Sequence, residues 1–192
     1  MIPSRRVFGD FAGDYDRWFE ENDDTYQAQQ RILQRAFPEH CRGLDVGVGS
    51  GRFAVPLGIR CGIDPSRELV RMAKHRGIEV VRGEGEHLPY RAGSFDCALM
   101  MTVICFLDDV AAVFLEVHRV LRPGGILVVG FIEKDGEIQR IYQRETTKGR
   151  FLRFAEFHTV EEVDGYFRGA GFARVPVIER TRGFCVMSGQ RG

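Results

Sequence analysis

The chain has no excess of either charge: its 192 residues carry 27 Lys and Arg against 27 Asp and Glu, a formal net charge of zero. Binding of nucleic acid by bulk electrostatics usually rests on a basic excess that neutralises phosphates, so nucleic acid is not expected as a partner. Paired cysteines are also missing. Cys41, Cys61, Cys97, Cys105 and Cys185 are odd in number and form no CxxC pair. Secreted disulfide frameworks are usually even, and zinc sites usually show paired short spacings. All five are therefore read as free thiols, mostly buried, in a reducing cytoplasm, and no metal site is expected. Long apolar runs are absent as well. The longest, 98–107, is interrupted by Thr102 and falls far short of the about 20 residues that span a bilayer, so no membrane insertion is expected. Arg5-Arg6 resembles the start of a twin-arginine export signal, but Val7-Phe8-Gly9-Asp10-Phe11 and then acids follow it. Internal repeats and low-complexity tracts are missing too, which excludes solenoids and propellers.

What is present is the composition of one ordinary globular domain, 44% hydrophobic and 28% charged. A chain of this length buries roughly 70% of its unfolded surface without metal or disulfide staples. Ile32, Leu33, Ala36 and Phe37 lie at helical spacing and predict a helix over 25–37, ended by Pro38. Short apolar strands follow at 43–46, 61–63 and 78–81. Ser66 should cap a helix running to about Arg76, with Gly77 as its terminator. The segment 95–104 is apolar enough to be a strand covered on both faces. Asp108 or Asp109 should cap a helix to Leu121 with Val110, Val113, Phe114, Val117 and Val120 on its core face. Pro123-Gly124-Gly125 should turn the chain into a strand over 126–132. Thr159 should cap a helix to about Ala170, and strands at 172–178 and 182–187 close the chain. Strands alternating with helices imply an α/β fold, a doubly wound, mostly parallel sheet with helices on both faces. The last two strands follow one another without a helix and predict an antiparallel hairpin at one edge.

Chemistry concentrates in Leu44-Asp45-Val46-Gly47-Val48-Gly49-Ser50-Gly51, followed by Gly62-Ile63-Asp64-Pro65. A strand running into three alternating glycines lets the backbone turn sharply and approach a ligand without Cβ interference. Asp64, at the end of the second strand, stands where doubly wound sheets point a carboxylate at ribose hydroxyls. The dinucleotide fingerprint GxGxxG fits poorly, because Arg52 occupies its third glycine position.

The GxGxG pattern instead resembles the class I S-adenosylmethionine-dependent methyltransferases, in particular the small type 11 group related to the ubiquinone and menaquinone biosynthesis enzymes. The resemblance extends over Gly62 to Ser66, over Gly83-Glu84-Gly85-Glu86-His87-Leu88-Pro89-Tyr90 with Ser94-Phe95-Asp96, and over EVHRVLRPGG from Glu116 to Gly125. It implies a Rossmann-like seven-stranded sheet, S-adenosyl-L-methionine as cofactor and a small-molecule methyl acceptor. Residues 1–40 would form an N-terminal helical cap of the same domain, and 41–192 the cofactor-binding part. A monomer and a homodimer are both compatible with the sequence. By similarity, Asp45, Gly47, Val48, Gly49 and Gly51 pass under the methionyl and ribose parts, and Asp64 holds the ribose. Pro65 and Ser66 border the adenine. Glu84 accepts from the adenine amino group, Gly85 donates its N–H to the ring, and the backbone near Met101 and Thr102 meets the methionyl amine. Tyr15, in a Tyr-Asp element, closes over the methionine end.

Two departures from the family pattern stand out. The interval from Asp45 to Asp64 is about one helical turn short and contains Pro56, so the first crossover helix should shrink to a turn or two. Cys105 occupies the place where relatives often carry a histidine. His87, His118, His158 and Tyr142 are candidate bases, and none is assigned a catalytic role. Aromatic residues at 8, 11, 15, 18 and 19 and at 131, 142, 151, 154 and 157 suggest an acceptor with an apolar part. Two other readings remain: a nicotinamide-dependent oxidoreductase on the same layout, and a catalytically silent binder of an adenosyl ligand. The neutral total also hides segregation. Residues 10–24 have a local net of −6 and residues 138–153 a local net of +4, which suggests two attracting sides of a lid.

Overall fold

A computed structural model of the chain describes residues 3–144 and 151–192, with side chains over 7–141 and 151–192. Helices α1 (Pro3–Asp10), α2 (Ala12–Glu21) and α3 (Asp23–Ala36) come first. They lead into β1 (Gly43–Val46), β2 (Cys61–Asp64), α4 (Arg67–His75), β3 (Glu79–Arg82), β4 (Phe95–Met101), α5 (Val110–Val120) and β5 (Leu121–Ile132). After α6 (Glu137–Arg144) and α7 (Val160–Gly169), the strands β6 (Phe172–Ala173), β7 (Val177–Thr181) and β8 (Phe184–Arg191) complete the fold.

Helix starts follow local chemistry. The Ser66 hydroxyl accepts from Leu69 N–H, Asp109 Oδ1 accepts from Ala112 N–H, and Thr159 with Glu162 forms a reciprocal capping box. The expected shrinkage of the first crossover helix is found as well: only one 3-10 turn, Val55–Leu57, lies between β1 and β2, with Pro56 inside it.

The sheet order is β3-β2-β1-β4-β5-β8-β6, with β7 also paired to β8. Strands β3, β2, β1, β4 and β5 are parallel, and β8 runs antiparallel to β5. Side chains on β4 alternate between two cores. Phe95, Ala98 and Met100 join α5 and α7 on one face, and Cys97, Leu99 and Met101 join α3 and α4 on the other. Leu33 and Phe37 are buried in that second core, which ties the N-terminal helices to the sheet.

The closing strands form the expected antiparallel hairpin at one edge, β7 pairing with β8, and β8 also pairs antiparallel with β5. The outer line is broken at 174–176 because Arg174 takes a left-handed φ of 49° and Pro176 has no N–H to donate. Two expectations need correction. Residues 121–125 belong to β5: the register jumps from Phe95↔Leu121 to Cys97↔Ile126, so Pro123-Gly124-Gly125 is an outward bulge and not a separate turn. Finally, the thiols are not all free. Cys41 and Cys97 form a disulfide across 56 residues, and Cys61, Cys105 and Cys185 are the free cysteines among the described residues. Gly43↔Cys97 pairing of β1 with β4 brings the two together, a proximity that no sequence spacing reveals. Among the described residues, no helix is long and apolar enough to cross a membrane.

Candidate functional site

The carboxyl ends of β1, β2 and β4 open into a cleft enclosing about 820 Å³ of non-protein space, the open solvent at its mouth included. Parallel sheets create such a crevice where neighbouring crossovers leave in opposite directions. Here β1 is flanked by β2 on one side and β4 on the other.

The loop after β1 forms the floor. Gly47 has φ 77°, and a Cβ there would fall 2.3 Å from Cγ2 of Val103 in the turn after β4. Gly49 has φ 55°, and its missing Cβ leaves room for the Tyr15 hydroxyl, which would lie 3.0 Å from it. Both positions need glycine for conformation and for close approach. Asp64 fastens this loop to β2, accepting from Gly49 N–H at 2.9 Å through Oδ2 and from Ser66 N–H at 2.8 Å through Oδ1. Thr102, at the end of β4, holds a left-handed φ of 51°, an uncommon conformation for a β-branched residue. Its N–H donates to Gly130 O at 2.7 Å, which secures the turn.

Of the residues anticipated for the site, Tyr15, Gly47, Gly49, Asp64, Pro65, Ser66, Glu84, Gly85 and Met101 line the cleft. Asp45, Val48 and Gly51 do not. Asp45 is buried beneath the loop, 2% exposed, and its Oδ1 has no hydrogen-bond partner among the described residues. Val48 fills the space left by Gly62, and Gly51 turns toward Ile78 and Ala73.

Electrostatically the cleft is one-signed. Asp64, Glu84 and Glu86 line it, and no lysine, arginine or histidine does among the described residues. Burial pushes the Asp64 carboxyl up to about 6, against the lowering effect of its two backbone hydrogen bonds. Burial, aided by the nearby Asp64 charge, pushes Asp45 up to about 8. The Tyr15 phenol is raised by burial and then by Asp64, Asp45 and Asp16, so it stays protonated and able to donate. Such a site favours a ligand that brings positive charge.

The roof is aromatic. Phe8 packs edge-on against Tyr15 (5.5 Å between centroids) and Phe106 (4.9 Å), and stacks on Phe151 at 5.1 Å. Candidate bases lie elsewhere. His87 is exposed and His118 packs on Phe172, while His158 is buried against Tyr166 and lines no part of the cleft. The Tyr142 side chain lies outside the described residues. Cys105 is buried near the mouth, and burial pushes its thiol up to about 12.

Two supports escaped the sequence reading. Glu116 accepts from Leu88 N–H, and Arg119 donates to the carbonyls of Leu88 and Tyr90, so the EVHR segment of α5 clamps the loop carrying Glu84 and Gly85. Arg52 and Arg76 both bind Asp16 of α2. Asp16 and Glu20, two acids of the negative segment, pair with Arg52 and Arg76 among the described residues. The side chain of Arg144 and residues 148 and 150 lie outside what is described.

Comparison with known proteins agrees with this geometry. Residues 44–129 match the Methyltransferase domain family (Methyltransf_11). An uncharacterized protein of Methanocaldococcus jannaschii is 37% identical over 90% of this chain and 84% of its own length. The malonyl-[acyl-carrier protein] O-methyltransferase of Geobacter sulfurreducens is 30% identical over 93% of this chain and 74% of its own. A crystal structure from Thermotoga maritima, described as an S-adenosylmethionine-dependent methyltransferase and possible histamine N-methyltransferase, superposes with a TM-score of 0.90 at 33% identity. It covers 97% of this chain and 99% of its own.

Proposed function

Since the chain belongs to the S-adenosylmethionine-dependent methyltransferases, we propose that its cleft binds S-adenosyl-L-methionine through the residues described above and methylates a small acceptor with an apolar part. The observation that carries this reading is the cleft lined by Asp64, Glu84 and Glu86, with no cationic side chain among the described residues, built on Gly47, Gly49 and Asp64 at the carboxyl ends of parallel strands. The cofactor is a sulfonium and an ammonium as well as a carboxylate, so two cationic centres meet a negative lining.

In this reading the Asp64 carboxylate accepts from the ribose hydroxyls while keeping its bonds to Gly49 and Ser66. Pro65, Ser66 and Leu69 border the adenine on one side, with Glu84, Gly85 and Glu86 on the other. The methionyl end lies between Gly49, the Met101–Thr102 backbone and Tyr15. The bound cofactor supplies an electrophilic methyl group on sulfur. The chain's own contribution is alignment and exclusion of water: Phe8, Tyr15 and Phe106 close over the mouth, where an acceptor atom must approach in line. Their rings favour a flat or aliphatic acceptor part. Residues 1–40 act as a cap on the same domain.

Calorimetric titration with S-adenosylhomocysteine, NAD and NADP tests the cofactor. Binding of the adenosyl ligand alone is expected, and binding of a nicotinamide alone would overturn the reading. A panel of small amines, thiols and hydroxy compounds, histamine among them, assayed for S-adenosylhomocysteine release, then tests the acceptor class. Turnover confined to an acyl-carrier protein or another macromolecule would refute the small acceptor.

A further inference from the structure

Tyr15 reaches the cleft from a helix that the glycine loop itself holds in place. The residue after Tyr15 is Asp16, and the residue after Gly51 is Arg52. Arg52 donates through Nε to Asp16 Oδ1 at 2.9 Å and through Nη2 to Oδ2 at 2.8 Å, a bidentate pair, and Nη2 also reaches Glu20 Oε1 at 2.6 Å. Arg76, at the end of α4, donates to the same Asp16 Oδ2 at 2.8 Å and to the carbonyl of Ser50 at 2.8 Å. One carboxylate therefore joins the cap helix, the loop and α4. The side chains of Asp16 and Arg52 are 18% and 19% exposed, so solvent screens this pair less than an ordinary surface pair. The arginines hold the Asp16 carboxyl well below the usual carboxylate range, which keeps the clip charged at any physiological pH. The Arg52 carbonyl in turn accepts from the Tyr26 hydroxyl at 2.6 Å and from the Gln30 amide at 3.1 Å, which ties α3 to the same point.

We infer that Arg52 and Arg76 are positioning residues for cofactor binding, acting through Asp16 to set Tyr15 over Gly49. This rests on the reading that the cleft holds S-adenosylmethionine. Geometry gives the coupling its direction. Asp16 adjoins Tyr15 in the chain, and Tyr15 packs against Phe8, Phe19 and Phe151, so displacing α2 by the width of one lost ion pair moves the whole aromatic roof. Neither arginine lines the cleft, so neither touches the ligand.

The test is calorimetric affinity for S-adenosylhomocysteine, which needs no acceptor, in a double-mutant cycle of Asp16→Asn and Tyr15→Ala. Asp16→Asn is expected to weaken binding at least fivefold and to raise amide exchange over 12–21 in the ligand-free protein. The double variant should bind no more than twofold worse than the weaker single variant, because both changes remove the same contact. Arg52→Lys should retain more affinity than Arg52→Gln, since a lysine keeps the charge but not the fork. Affinity within twofold of wild type for Asp16→Asn would overturn the inference, as would losses that simply multiply in the double variant. If Asp16→Asn does not fold, Arg52→Gln removes the pair from the other side and enters the cycle in its place. Failure of the wild-type protein to bind the ligand would instead refute the cofactor reading itself.

Discussion

Replacing Asp64 with asparagine should weaken S-adenosylhomocysteine binding and abolish a defined part of its pH dependence. In the free protein burial raises the Asp64 carboxyl to about 6, so at pH 5 it is largely protonated and at pH 7 largely ionised. Ribose hydroxyls donate to the ionised form, so binding must first release the proton. By linkage the wild-type affinity rises about tenfold between pH 5 and pH 7 and then levels off in this group's contribution. Asparagine cannot titrate. It also has one acceptor oxygen where Asp64 uses two, for Gly49 N–H at 2.9 Å and Ser66 N–H at 2.8 Å, so its amide group must face a backbone donor. Loss of one charge-assisted hydrogen bond costs about 1.5–3 kcal/mol, or about tenfold to a hundredfold in Kd at pH 7. Calorimetry at pH 5, 6 and 7 on both proteins reads slope and magnitude together. A flat wild-type profile, or an equal slope in Asp64→Asn, would refute the assignment of this carboxylate.

Asp45→Asn should stabilise the ligand-free protein at alkaline pH: a carboxyl raised to about 8 binds more protons folded than unfolded, so its contribution to stability falls as pH rises from about 4 through 8. The melting temperature of the variant should therefore exceed that of wild type at pH 9 and approach it near pH 5, and an unchanged difference across that range would count against the buried charge. Gly47→Ala combines a left-handed φ of 77° with a Cβ 2.3 Å from Val103, so it should cost about 2–5 kcal/mol in denaturant unfolding and lose ligand affinity as well. Phe114→Ala empties a fully buried site against Tyr166 and Phe167, away from the cleft, and should cost about 3–5 kcal/mol with ligand affinity preserved in the folded fraction.

How far each feature could be read in the sequence follows from the range of the interaction that makes it. Ser66, Asp109 and Thr159 cap their helices through bonds to N–H groups three residues on, so the residue type and the adjoining apolar pattern suffice to place them. The glycine loop is equally local: alternating glycines after a short apolar strand can do little else than turn, and Pro56 in a short crossover leaves room for a single 3-10 turn. Asp64 was legible because a strand end fixes where its side chain points, and the Asp45-to-Asp64 interval marks that end.

Contacts across the fold were not legible. Asp45 reads as a ligand-side acid, yet the pleat of β1 turns it beneath the loop. Arg52 reads only as a misfit to a dinucleotide fingerprint, yet across 36 residues it finds Asp16 and becomes the anchor of the cap. Cys41 and Cys97 stand 56 residues apart with no spacing signal, and strand pairing alone makes them neighbours. The pairing of β8 beside β5 likewise joins segments more than 50 residues apart, with no local signal to mark it. The sequence by itself determined the α/β pattern and the glycine loop, because each rests on hydrogen bonds and sterics within a few residues, and its family resemblance implied the cofactor. Tertiary structure alone decided which acids face the cleft and what holds the roof over it, because those depend on side chains that meet only after the sheet and its cap have packed.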